Sequence, residues 1–198
     1  MTETATKSPS QRQRIAFALA KTSLGLVLVA GDDAGICAIF LGEAPEPLLQ
    51  ALRERFSRAE LINGSEEFLR SVTAVTRFIE QPRLAFDFPL NVQGTPFQRL
   101  VWTALCEIPS GRTASYAEIA RKIGRPRAVR AVAGACAANK IAVVIPCHRV
   151  VRSDGDISGY RWGVERKREL LKREAKSAVV KAAKLIGASL RTEPALPA

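Results

Sequence analysis

The hydrophobic pattern of this chain changes its period near residues 91–95, and this change constrains the fold more than any other feature. Before it, short apolar runs at residues 15–19, 24–30 and 36–41 are punctuated by Gly25 and by a turn at residues 31–35 that contains two glycines. Short alternating runs joined by tight turns predict an antiparallel meander of strands. From Thr95 onward the apolar residues recur at helical spacing instead. The sequence therefore predicts two small domains.

The first domain, residues 15–92, is expected to be an α/β unit with a small antiparallel sheet. Helical stretches open at Pro47 and at Ser65, and residues 84–90 alternate again as a further strand. A flexible leader is expected over residues 1–14. This half of the chain contains no chemical motif.

The second half predicts a helix-turn-helix. Ser115 and Glu118 have the spacing of a capping box, so a helix starts there and runs to about Ile123. After a short turn, a second helix is expected from Arg127 to about Ala138. This helix consists mainly of alanine, which suits either a close approach to a nucleic-acid groove or packing in a core.

Positive charge is concentrated in the second half. The net charge is +11, yet residues 1–92 contain 10 Lys+Arg against 11 Asp+Glu, and residues 93–198 contain 20 against 8. Such a one-sided excess indicates a surface that binds a polyanion, although a solubilising surface has the same composition. Charge alone favours nucleic acid as the partner without saying what happens to it.

Targeting signals and metal motifs are not found in the sequence. The longest apolar run near the start, residues 24–30, is too short to span a bilayer, and we expect a cytoplasmic protein. The four cysteines form no CxxC pair, and there is one histidine. We therefore expect neither a metal site nor a disulfide framework.

The candidate chemistry lies where a buried-looking strand, residues 143–146, leads into Cys147 and His148. A thiolate is the strongest nucleophile among the side chains, and it forms at neutral pH only with a nearby base or positive charge. His148 is the candidate base, and Arg149 and Arg152 add positive potential. A Cys-His pair alone is also compatible with a buried cysteine beside a surface histidine.

In its motifs the chain resembles the O(6)-methylguanine-DNA methyltransferases. Residues 145–150 read IPCHRV, which matches the active-site signature of that family. Matching segments also include GTPFQ at 94–98, AVRAV at 128–132 and SGYRWG at 158–163. The resemblance runs from Gly94 to about Ala175 and is strongest to the alkyltransferase half of Ada-type proteins.

The resemblance implies an RNase H-like first domain and, over residues 93–175, a mainly helical second domain with a winged-helix-like helix-turn-helix. It implies a monomer without metal or cofactor that binds double-stranded DNA through the minor groove. The alkylated guanine would be flipped out of the stack and repaired by direct transfer of its alkyl group. A tail, residues 176–198, is expected to be partly helical and then disordered.

The family's catalytic roles fall on four residues of this chain. By position, Cys147 would accept the alkyl group and His148 would activate it through a water. Glu174 would hold His148, and Asn139 would support the active-site turn. The product is a thioether without a usable leaving group, so the reaction should stop after one turnover.

Further residues correspond to the family's DNA-contacting and pocket positions. The DNA-binding set is Tyr116, Arg127, Arg130, Ala137 and Ser153. Arg130 would fill the space that the flipped nucleotide leaves, and Tyr116 would crowd the phosphate that rotates. Tyr116, Val150 and Tyr160 would line the base pocket.

Two other functions have to be weighed. Non-enzymatic lesion sensors resemble these transferases but have another residue in place of the acceptor, so the presence of Cys147 argues against that reading. A cysteine hydrolase with a triad of Cys147, His148 and Glu174 would explain neither the basic second half nor the alanine-rich helix.

Overall fold

The structure is a computed structural model that describes residues 12–82, 86–157 and 159–189. Its elements, in chain order, are β1 (Arg14–Thr22), β2 (Gly25–Asp32), β3 (Gly35–Gly42), α1 (Pro45–Arg55), β4 (Glu60–Asn63), α2 (Glu66–Glu80), α3 (Pro96–Cys106), β5 (Ala114–Ser115), α4 (Tyr116–Lys122), α5 (Val129–Ala137), a 3₁₀ turn (Cys147–Arg149), β6 (Val150–Val151) and α6 (Val164–Ser189). Residues 1–11 of the expected leader and residues 190–198 of the expected tail lie outside the described residues.

The first domain contains a four-stranded mixed sheet in the order β3-β2-β1-β4. The predicted meander of β1, β2 and β3 is confirmed, with both pairs antiparallel. The prediction of a purely antiparallel sheet is wrong, because β4 pairs with β1 in parallel. A parallel neighbour needs a crossover, which α1 supplies. β4 has only four residues, too few to show an alternating pattern.

The further strand predicted over residues 84–90 is wrong for the part that the structure describes. Of residues 86–90, only Leu90 makes a ladder contact, a single parallel bridge to Ile36 in β3. Pro89 has no N–H and contributes only its carbonyl, which accepts from the Ile36 N–H at 2.9 Å. Residues 83–85 lie outside the described residues.

The second domain packs α3, α4 and α5 together. Thr95 and Gln98 form a capping box at the start of α3, and Ser115 and Glu118 form the predicted one at α4. Inside the domain, the indole N–H of Trp102 donates to the carbonyl of Ala135 in α5 at 2.8 Å. This bond joins the alanine-rich helix to the core.

The predicted pair of helices is present as α4 and α5, but the second begins at Val129 and not at Arg127. Gly124 ends α4 with a φ of 68°. The chain then makes a further turn, in which the Ala128 N–H donates to Arg125 at 2.8 Å. Arg127 therefore lies in the turn before α5.

The last helix, α6, passes Ala175 without a break and runs to Ser189. At the other end, β1 begins at Arg14, one residue inside the expected leader. None of the described helices is long and apolar enough to cross a membrane.

The two domains join along β3 and the start of α6. The N–H of Ile39 in β3 donates to the carbonyl of Lys140 at 2.8 Å, and the N–H of Ala142 donates back to Ile39 at 3.1 Å. Next to this contact, Phe40 stacks on Trp162 with ring centroids 4.9 Å apart. The segment that leads to Cys147 is thus attached directly to the sheet of the first domain.

Candidate active site

The segment before Cys147 is a series of buried turns and not the predicted strand. Val143 has a φ of 68°, a left-handed conformation that costs a β-branched residue on the order of 1–3 kcal/mol. Ile145 N–H donates back to Ile141 at 3.1 Å, and Cys147 N–H donates to Ile145 at 2.8 Å. Residues 142–146 are apolar because they are largely buried, and a short apolar run does not distinguish buried turns from a strand.

Asn139 holds these turns with both ends of its amide. Its side-chain oxygen accepts from the Ile141 N–H at 2.9 Å, and its NH₂ donates to the Ile145 carbonyl at 2.9 Å. The same NH₂ lies 3.1 Å from the sulfur of Cys147. One buried side chain therefore fixes the turn and contacts the thiol.

Cys147 opens the 3₁₀ turn, so it and His148 do not point to opposite faces as they would in a strand. Its side chain is buried, with 6% exposure. Burial raises the pKa of the Cys147 thiol, whereas the Asn139 amide and the charge of Lys167 oppose that rise. The thiolate thus depends on these two groups.

His148 is completely buried, and its Nε2 lies 2.8 Å from Oε1 of Glu174. Burial lowers the pKa of His148, while the carboxylate of Glu174 opposes the shift. The ring is therefore neutral at pH 7, and Nε2 carries the hydrogen that it donates to the carboxylate. Nδ1 is left as an acceptor, and it has no hydrogen-bond partner among the described residues.

Glu174, on α6, is surrounded by donors. Arg149 donates to it twice, from Nε at 3.0 Å and from a terminal nitrogen at 2.9 Å, and donates to the Ile108 carbonyl at 2.6 Å. The Gly111 N–H donates to it at 3.3 Å. Burial alone would raise the pKa of Glu174, but the bonds from His148 and Arg149 outweigh it and lower the pKa to about 2. Arg149 therefore forms an ion pair with this carboxylate, and its charge is not among the causes that shift the pKa of the Cys147 thiol.

Lys167 is a site residue that the sequence analysis missed. It has 0% exposure, and its Nζ donates to the carbonyl of Val150 at 2.6 Å. Lys167, Leu170 and Glu174 recur at i, i+3 and i+7 of α6, and all three are completely buried. A lysine in the buried stripe of a helix is the signal that could have identified it, because an isolated buried charge is costly.

Two tyrosines and a second cysteine surround the sulfur. Burial raises the pKa of Tyr116 and of Tyr160, and the nearby Cys147 adds to both shifts. The Tyr160 hydroxyl is buried and has no hydrogen-bond partner among the described residues. Burial also raises the pKa of Cys136 to about 12, so this neighbour stays a thiol at neutral pH.

The predicted DNA-binding residues outside the site lie at the surface. Arg130 and Ala137 are exposed on one side of α5, together with Ala131 and Gly134, and Arg127 is exposed in the preceding turn. Ser153 is exposed in a separate loop after β6. The structure therefore brings Asn139, Cys147, His148 and Glu174 together, whereas the others form an outer surface. Val150 is completely buried beside the site.

Both halves of the chain match models of one protein family. Residues 15–92 match the ribonuclease-like domain of 6-O-methylguanine DNA methyltransferase, and residues 96–176 match its DNA-binding domain.

Two curated relatives show the range of the similarity. The chain is 49% identical to the bifunctional transcriptional activator/DNA repair enzyme Ada of Escherichia coli over 82% of its own length and 46% of Ada. It is 38% identical to the inducible methylated-DNA–protein-cysteine methyltransferase of Bacillus subtilis, over 81% of this chain and 85% of that one. The chain thus spans about half the length of the Ada proteins that it matches.

A solved structure with the same two-domain fold is the Mycobacterium tuberculosis OGT in complex with DNA. It has a TM-score of 0.66 and 32% identity, and the match covers 82% of this chain and 93% of that one.

The ion pair of Glu174 with Arg149 and its hydrogen bond from His148 should make the folded state sensitive to acid. Its pKa is about 2 in the folded protein against a usual 4.5. A lowered folded pKa contributes stability that is present above pH 4.5 and is lost as the pH falls towards 2. The shift corresponds to about 3 kcal/mol at neutral pH. Urea unfolding of the wild-type protein at a series of pH values from 7 to about 3 should reveal this loss.

Two variants separate Glu174 from the other carboxylates. Glu174→Gln should be less stable at pH 7 and should lose less stability on acidification, because its side chain no longer titrates. Glu46→Gln, at an exposed position of α1, should keep the wild-type pH dependence. Equal acid sensitivity in the wild type and in Glu174→Gln would show that the carboxylate of Glu174 is not the group responsible.

Proposed function

Because this chain belongs to the 6-O-methylguanine DNA methyltransferase family, we propose that it repairs DNA by moving an alkyl group from O(6)-alkylated guanine to Cys147. The observation that carries the proposal is a buried sulfur contacted by the Asn139 amide, next to a neutral His148 whose Nδ1 has no partner in the part of the chain that the structure describes. The transfer needs a nucleophile and a base to activate it, and Cys147 and His148 can supply these two groups.

In the proposed reaction, Nδ1 of His148 takes the proton of the thiol through a bridging water. The resulting imidazolium is stabilised by Glu174, which stays a carboxylate because of its low pKa. The thiolate attacks the alkyl carbon, a C–S bond forms, and the C–O bond breaks. Its electron pair goes to the guanine, and the proton held by His148 returns to that base. The Tyr160 hydroxyl, which is buried and has no hydrogen-bond partner among the described residues, is proposed to donate a hydrogen bond to the departing base.

The proposed substrate is double-stranded DNA bound through the minor groove, with the alkylated guanine flipped into the site. A buried thiol cannot reach a base inside the stack, so extrusion is required, at a cost of a few kcal/mol. The exposed side of α5 is small at Ala131, Gly134 and Ala137, which permits a close approach to DNA. Arg130 on the same side is proposed to fill the vacated space, and Arg127, Ser153 and Tyr116 to contact the strand.

The protein is proposed to act once, as a monomer in the cytoplasm. The thioether product has no leaving group, and the high pKa of Cys136 leaves it unsuited to attack. The domain match at residues 15–92 supports the RNase H-like reading of the mixed sheet. The short β5–β6 pair beside α4 supports the winged-helix-like reading of the second domain.

The central test is mass analysis after exposure to duplex DNA that contains O(6)-methylguanine. The protein should gain one methyl group, located on the peptide that contains Cys147, and it should consume one lesion per molecule. Cys147→Ser should bind the same DNA and gain nothing. Repeated turnover, or a methyl group on another residue, would refute the proposal.

Arg130→Ala should separate DNA handling from chemistry. If Arg130 fills the space left by the flipped base, the variant should repair duplex DNA more slowly while reacting with free O(6)-benzylguanine at a rate much closer to that of the wild type. The comparison is the ratio of the two rates in each protein. Equal slowing in both assays would remove the role of Arg130 in flipping.

Lys167→Met should move the pH profile of transfer to higher pH. Without the cation, the pKa of Cys147 rises further, and each unit reduces the thiolate fraction at pH 7 about tenfold. Rates of transfer to the protein, measured across pH, should show the shift, and Lys167→Arg should reverse it. Lys21→Met, an exposed lysine in β1, serves as the charge control. A lower rate with an unshifted profile would indicate a purely structural role.

A further inference from the structure

Three basic side chains meet where the two domains join. Arg55 ends α1 in the first domain, Lys140 follows α5, and Arg161 precedes α6. The Lys140 ammonium lies 5.2 Å from the ring centre of Phe56, and the Arg161 guanidinium lies 5.2 Å from that of Trp162. Cation–π contacts fix both groups, so their charges stay in place at the surface. We call these three residues the basic cluster.

The charges of the basic cluster repel one another and are only partly balanced. Burial lowers the pKa of Lys140 and of Arg161, and the nearby charge of Arg55 lowers both further. Among the described residues, no carboxylate lies within 4 Å of any of the three. The nearby charge of Glu54 raises the pKa of Arg161 and so opposes part of this shift. The carboxylate of Glu54 also accepts a hydrogen bond from Gln50 at 2.9 Å. Cations held together in this way form a favourable site for an anion.

The basic cluster continues the exposed side of α5. Arg161 donates to the carbonyl of Ala137, the last residue of that helix, at 3.4 Å. Ala137 is exposed on the same side of α5 as Arg130, which lies near the opposite end of the helix. A duplex lying along α5 would therefore reach the basic cluster after it passes Ala137.

We propose that Arg55, Lys140 and Arg161 bind a backbone phosphate of the DNA, so that the first domain takes part in binding through Arg55. This inference rests on the proposed function, since it takes duplex DNA along α5 as the ligand. It assigns a role in DNA binding to the domain that carries no chemical motif. It also gives α5 a phosphate contact at its C-terminal end, where its own residues are uncharged.

The test compares two arginines of the same helix. Arg55 and Arg53 are two residues apart in α1, and a rotation of about 100° per residue puts their side chains on nearly opposite sides of the helix. Each is changed to glutamine in the full chain, with the same change in net charge. Binding to a long duplex containing O(6)-methylguanine is then measured over a range of salt concentrations. Each lost phosphate contact should reduce the slope of log K against log salt by about 0.9.

Because the three cations share one phosphate, Arg55→Gln should lower the salt slope by at most about 0.9, and Arg161→Gln should do the same, whereas Arg53→Gln should leave it unchanged. Arg55→Lys keeps the charge and should restore the slope. Equal slopes in Arg55→Gln and Arg53→Gln would overturn the inference. Methyl transfer to the wild-type protein in the same samples tests the proposed function separately. If the wild-type protein accepts the methyl group while Arg55→Gln and Arg53→Gln have equal salt slopes, the proposed phosphate site is wrong and the proposed function stands.

Discussion

A single buried carboxylate organises the candidate site. Glu174 has no access to solvent, and an uncompensated charge there would be very costly. Its cost is offset by the two bonds from Arg149, the bond from His148 and the N–H of Gly111. These same bonds fix the 3₁₀ turn and select the form of His148 that has Nδ1 as an acceptor. The position of the thiol and the state of its base thus follow from satisfying one charge.

Helix α6 contacts both the first domain and the active site, so it fixes one relative to the other. One of its stripes carries Lys167 and Glu174 into the site. Arg166 and Arg173, also seven residues apart, reach the first domain: Arg166 donates to the Leu24 carbonyl at 2.7 Å, and Arg173 lies 3.6 Å from Glu80. The first domain has no chemical motif, and what it contributes to the active site is support for the helix that supplies two charged groups of the site.

The sequence allowed the local features to be predicted better than the contacts between distant segments. The meander, the helix that starts after Thr95 and the capping box at Ser115 depend on neighbouring residues, and these predictions hold. β4 was missed because four residues show no period, and the turn at Val143 was taken for a strand because burial makes both apolar. Of the site, Cys147 and His148 were expected from the residues themselves, whereas the roles of Glu174 and Asn139 were expected only from the family resemblance. The partner of Lys167 and the bonds of Arg149 to Glu174 depend on tertiary structure, which no spacing in the sequence reveals.

The outer strand of the sheet, β3, is closed by parts of the chain that lie far from it in sequence. Ile36 pairs with Leu90, and Ile39 pairs with Ile141, so the backbone groups of Ile36 and Ile39 are not available to pair with another chain. The second of these bridges belongs to the segment that leads to the thiol. Pulling the domains apart would expose a sheet edge and release that segment at once. Since the backbone bonds of Ile39 in β3 belong to both domains, we expect the two domains to unfold in a single cooperative step.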